Sequence, residues 1–128
     1  MKDENKAAKA PVPPVDLRIR TKDYASRVIR LYVSLPKNRV AEVIGHQLLR
    51  SATSVGANYR EACRSRSNAE FVSKLGEVLK ELDESSYWLE LLTENHIVTP
   101  AKLEALQNET DELIAIFTAI SKKRKIAA

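Results

Sequence analysis

The chain has 128 residues, 21 of them Lys or Arg and 17 Asp or Glu, which gives a formal charge of +4 and a sequence pI near 9.3. That is the length of one domain with a core of its own, and 44% hydrophobic residues argue against wholesale disorder. Three Gly and five Pro supply too little turn chemistry for an all-β or doubly wound α/β fold. A single cysteine, Cys63, cannot close an internal disulfide. The chain starts polar, and its longest apolar-rich run, Leu113 to Ile120, is short, so the expected location is cytoplasmic, without export or membrane insertion.

Residues 1–15 mix charge, Ala and Pro without periodicity and read as a disordered N-terminal arm. From Asp16 onward, Leu17, Tyr24, Val28, Leu31 and Leu35 recur at helical spacing, Ala25, Ile29 and Tyr32 widen the stripe, and Pro36 stops it. Asn38 predicts the N-cap of a second helix with the stripe Ala41, Ile44, Leu48, Val55, Tyr59 and Ala62, running to Arg66. Gly56, in its middle, costs about 1 kcal/mol relative to Ala, so close packing against another backbone is expected there.

Ser67 to Glu70 reads as a capping box in which Glu70 reaches back to the N-cap amide. The helix it opens, to Asn95, carries Phe71, Leu75, Val78, Leu82, Ser85, Leu89 and Leu92 on one face. Thr99 and Pro100 begin a fourth helix bearing Leu103, Leu106, Thr110, Leu113, Phe117 and Ile120, followed by a basic C-terminal tail at 122–128. Four amphipathic helices with short connections must bury their stripes against one another. The predicted fold is all-α, an antiparallel up-down-up-down four-helix bundle over residues 16–121.

The net charge is unevenly spread: +3 over residues 16–35, +4 over 37–66 and −5 over 67–98. Arg18, Arg20, Lys22, Arg27 and Arg30 on the first helix, Arg60 and Arg64 on the second, and the run Lys122, Lys123, Arg124, Lys125 are candidate nucleic-acid contacts. A guanidinium offers a fork of donors matched to two phosphate oxygens. Outer helix faces carry charge for solvation as well, and the C-terminal run also complements a helix dipole.

A second constellation, Gln47, Arg50, Ser54, Asn58 and Glu61, lies along one edge of the second helix's apolar face, with Glu81 and Ser85 bordering the third helix's stripe. Buried polar groups need partners, so Arg50 is expected to pair with Glu81 or Glu61, and Asn58 with a seryl or backbone group. Such a seam sets helix register; the alternative is a binding pocket. His46, His96 and Cys63 stand without ligand-spaced companions, no phosphate-cradling loop is present, and the Glu-x-x-His pairs of di-iron bundles are missing. The expectation is a non-enzymatic protein with no catalytic residue, metal or cofactor.

From Gln47 to Leu92, the stretches Leu48-Leu49-Arg50-Ser51-Ala52-Thr53-Ser54-Val55-Gly56-Ala57-Asn58-Tyr59-Arg60-Glu61-Ala62, Ser67-Asn68-Ala69-Glu70-Phe71 and Glu84-Ser85-Ser86-Tyr87-Trp88-Leu89-Glu90-Leu91-Leu92 closely resemble the bacterial four helix bundle protein family. Its founding members are encoded in intervening sequences of large-subunit ribosomal RNA genes. The resemblance implies an antiparallel bundle that assembles into a ring-like homo-pentamer. More distantly, the chain is similar to the accessory variability determinant of diversity-generating retroelements, a basic pentameric bundle that binds nucleic acid and works with a reverse transcriptase. The family's recurring Arg, Ser, Asn and Glu fall on Arg50, Ser54, Asn58 and Glu61, and Gly56 stands where many members have proline. The function expected is oligomeric binding of RNA or DNA, mainly through phosphates, with a reverse transcriptase as a further candidate partner. The alternative is a protein-interaction scaffold that docks partners on Tyr87, Trp88 and Leu91 of the third helix.

Overall fold

A computed structural model of the chain describes residues 16–127, so the arm expected at 1–15 lies outside the described residues. Four helices follow one another: α1 (Leu17–Ser34), α2 (Arg39–Cys63), α3 (Asn68–Glu94) and α4 (Pro100–Ala127). None of the described residues is in a strand. At about 1.5 Å per residue the three longer helices each run for roughly 40 Å.

Each start is set by a local side chain. Asp16 accepts a hydrogen bond from the Arg18 amide, Asn38 from that of Ala41, and Ser67 from that of Glu70, each satisfying a donor the helix leaves orphaned. Glu70 does reach back, but to the amide of Arg66 (2.7 Å), one residue before the expected N-cap amide. α1 ends at Ser34, two residues before Pro36. α2 stops at Cys63 rather than Arg66: Arg64, its C-cap, has left helical geometry, and the chain must extend before Ser67 can cap α3. α4 continues to Ala127, so Lys122–Lys125 form its last turns and not a separate tail, as basic side chains at a helix C-terminus favour.

The apolar stripes meet as predicted. Tyr24, Val28, Leu48, Val55, Leu75, Leu82, Leu89, Leu113 and Phe117 are all but inaccessible to solvent. Burying such a side chain contributes about 1.5–3 kcal/mol, and helix formation here depends on that packing more than on propensity. One expectation fails on α1: Ile29 is exposed. Thr21 fills the stripe between Leu17 and Tyr24, fully buried with its hydroxyl donating to the Leu17 carbonyl at 2.7 Å, and it lies against Gly56 of α2. A methyl group added there would lie 3.2 Å from the Thr21 hydroxyl oxygen and 3.6 Å from its backbone carbonyl carbon, so α1 and α2 cross closely at this glycine.

Neighbouring helices pack antiparallel, most extensively α2 with α3, whereas α1 and α4 touch in only a few places. A buried layer of hydroxyls draws on all four: Tyr24 of α1 pairs with Thr110 of α4 (2.7 Å), and Ser51 of α2 with Ser85 of α3 (2.8 Å). Burial pushes the Tyr24 phenol above its usual range, with hydrogen bonds to Thr110 and Ser85 opposing the shift. Each of these hydroxyls has a partner, so the layer favours one helix register over its neighbours.

Candidate nucleic-acid interface

With four antiparallel helices, the start of α1, the end of α2, the start of α3 and the end of α4 lie at one end of the bundle. Two contacts fix this. Asn68, opening α3, donates to the Arg124 carbonyl and accepts from the Arg124 guanidinium, both at 2.9 Å. Arg18, opening α1, lines a cleft of about 360 Å³ with Arg60 and Arg64 from the close of α2. Basic residues scattered along the sequence are thereby gathered: Arg18, Arg60, Arg64, Arg66 and the α4 run at 122–125. The opposite end mixes signs, with Lys37, Arg39 and Lys102 against Glu42, Glu90, Glu94 and Glu104.

The carboxylates at the basic end are already engaged. Asp16 pairs with Arg18 at 3.3 Å, and that side-chain hydrogen bond holds its carboxyl below the usual range. Glu61 takes Lys74 at 2.6 Å, and Glu70 caps the Arg66 amide. Arg60 and Arg64 are exposed and have no carboxylate partner among the described residues. Arg60 and Arg64, one helical turn apart, thus stand beside the Asp16–Arg18 pair in one cleft, and their guanidiniums offer donor forks of the kind that match anionic oxygens.

Not all the expected contacts belong to it. Arg20 is largely buried and grips Glu109 of α4 through two hydrogen bonds of 2.8 Å, with a third to Glu112 at 2.7 Å. These bonds raise its pKa further, and they neutralise the charge. Arg20 is therefore a clamp between α1 and α4, not a phosphate contact. Arg27 and Arg30 line a separate cleft with Asp23 and Glu109, and Lys22 is exposed on α1. Lys122, Lys123, Arg124 and Lys125 are all exposed, and the Arg124 guanidinium lies 4.2 Å over the Phe71 ring. Cys63 is exposed and lines both the arginine cleft and a neighbouring one. Arg66 escaped the sequence reading. Its signal was adjacency to the Ser67 cap, which placed it at the same end.

The polar seam combines two ion-pair ties from α2 to α3 with hydrogen bonds inside α2. Arg50 pairs with Glu81, as expected, at 3.8 Å and more closely with Glu84 at 2.8 Å, while Glu61 belongs to Lys74. Burial and the nearby Glu84 push the Glu81 carboxyl up. Gln47 accepts from the Arg50 guanidinium at 3.5 Å, Ser54 donates to the Arg50 carbonyl at 2.8 Å, and Asn58 has no side-chain hydrogen bond among the described residues. The seam is spread along the helix with no shared cavity. No cluster of three His, Cys, Asp or Glu that could hold a metal occurs among the described residues, and no helix there is long and apolar enough to cross a membrane.

Fold and charge together define a class: an antiparallel four-helix bundle with an arginine-rich end. Residues 16–119 match the family described as 23S rRNA-intervening sequence protein, and the chain belongs to that family. A crystal structure of a protein of unknown function from the S23 ribosomal protein family, from Bacteroides thetaiotaomicron VPI-5482, is similar at 36% identity with a TM-score of 0.78. The match covers 84% of this chain and 99% of that one. No curated protein matches the chain.

Proposed function

We propose that the protein is a non-enzymatic RNA-binding bundle that grips RNA phosphates at its basic end and works as a homo-oligomer. The convergence of Arg18, Arg60 and Arg64 in one cleft carries this reading, since two of the three lack a carboxylate partner among the described residues. Membership of a family named for an insertion in ribosomal RNA favours RNA over DNA. Phosphate contacts carry no sequence information, so binding is weakly sequence-specific, and several copies in a ring multiply a modest patch. Fluorescence anisotropy against a structured RNA at rising salt tests the reading. Affinity should fall by about 0.7–0.9 logarithmic units per tenfold rise in salt for each phosphate engaged. The double substitution Arg60→Glu and Arg64→Glu should abolish binding while circular dichroism and sedimentation stay unchanged. Absent or salt-insensitive binding overturns the proposal.

A second reading, a docking surface on α3, draws on Tyr87, which is exposed, packs edge-on against Trp88 at 5.0 Å, and sits beside an indole N–H with no partner among the described residues. Co-purification of a reverse transcriptase, lost on Tyr87→Ala but not on the double arginine reversal, would favour it.

A further inference from the structure

Next to the arginine cleft, and sharing Cys63 with it, lies a second cleft of about 530 Å³ where the end of α2, the start of α3 and the last turns of α4 meet. Its walls differ from those of the first. They include Tyr59, Phe71, Arg124, Arg66 and Ser65. Its volume falls within the roughly 300–1,000 Å³ of small-molecule sites.

Three features point to a flat heteroaromatic occupant. Arg124 spreads its guanidinium 4.2 Å over the Phe71 ring, and one guanidinium nitrogen donates to Asn68 at 2.9 Å while Asn68 also donates to the Arg124 backbone carbonyl, which favours this placement before anything binds. Arg124 is itself exposed, which leaves the outer part of the guanidinium open. Tyr59 is fixed by tilted contact with Phe117, ring centroids 5.3 Å apart, and burial with the Cys63 thiol next in weight pushes its phenol up to about 12, keeping it a neutral donor. Ser65 lines this cleft, and its hydroxyl oxygen, buried just beneath, has no hydrogen-bond partner among the described residues. An unpaired buried polar atom in a native fold calls for a partner.

We propose that this cleft receives an unpaired RNA base, stacked on the Arg124 guanidinium and hydrogen-bonded at its edge by Ser65, while the adjoining phosphate lies in the cleft of Arg18, Arg60 and Arg64. The inference rests on the phosphate-binding reading above and deepens it, because it names the nucleotide selected: one from a single strand, loop or end. Bases inside a duplex are stacked and paired and cannot enter, whereas splayed bases stack readily on aromatic rings and arginine planes.

The test uses the full chain and three labelled ligands at one salt concentration: a short single-stranded RNA, the same RNA as a duplex, and its abasic counterpart. The single strand should bind about tenfold more tightly than the abasic ligand, the scale of one stacked base. Arg124→Lys keeps the charge but loses the plane, so it should bring the single strand down to the abasic level and change abasic binding by less than about twofold. Phe71→Leu, which retains apolar bulk, should act in the same direction with helix content unchanged. Equal affinity for abasic and base-bearing strands, or equal weakening of both by Arg124→Lys, overturns the base site and leaves the phosphate site standing. No binding of any of the three ligands overturns both.

Discussion

His96 has a φ of 59°, the left-handed region in which a Cβ crowds the following carbonyl. It closes α3 in the arrangement that usually ends on glycine: the Ile97 amide donates to the Leu92 carbonyl (2.9 Å) and the His96 amide to that of Thr93 (3.1 Å). Those bonds and the half-buried Ile97 keep the turn in place despite the side chain. His96→Gly removes a steric cost of about 1 kcal/mol, and the greater freedom of glycine in the unfolded chain returns part of it. A net gain of about 0.5 kcal/mol is expected in denaturant unfolding, with RNA affinity unchanged because the turn is at the far end from the arginines. At Gly45, by contrast, an added methyl group would lie 2.5 Å from the end of the Leu35 side chain, which would have to move.

Between elements, the informative residue is Arg20. Its forked grip on Glu109 joins α1 to α4, and with only 22% of its side chain exposed it acts far more strongly than a surface pair. Arg20→Met should destabilise the bundle by about 1–3 kcal/mol, part of it from leaving Glu109 uncompensated, and leave RNA affinity within about twofold. A parallel loss of RNA binding in a folded variant would return Arg20 to the interface. This contrast also shows which parts of the molecule were legible in the sequence. Helix starts were, because Asn38 and Ser67 each act on an amide three residues away. Pairings such as Arg20 with Glu109 or Arg124 with Asn68 join residues 89 and 56 positions apart, and periodicity shows only that each lies off the core. Arg50 reaches Glu84 more closely than Glu81 because the two carboxylates are less than one turn apart on α3, and local spacing cannot rank them.

For the whole molecule, function follows from topology. An even number of antiparallel helices brings the basic end of α2 and the basic end of α4 together, though 56 residues separate Arg66 from Lys122. The bundle itself could be read from four periodic stripes and three short connections. The site could be read only as a list of cations until the fold sorted them: Arg18, Arg60 and Arg64 into one cleft, Arg124 onto Phe71, and Arg20 away from both.

The sparse contact between α1 and α4 has a dynamic consequence. A helix held firmly by one neighbour, and on its other side by little beyond one clamp and one hydroxyl pair, peels away before the rest melts. Native-state hydrogen exchange should therefore find α1 amides exchanging through a partial opening at a free energy below that of α2 and α3, whose amides wait for global unfolding. Because the arginine cleft spans α1 and α2, bound RNA would bridge that opening. It should slow α1 exchange selectively, by an amount that rises with ligand concentration.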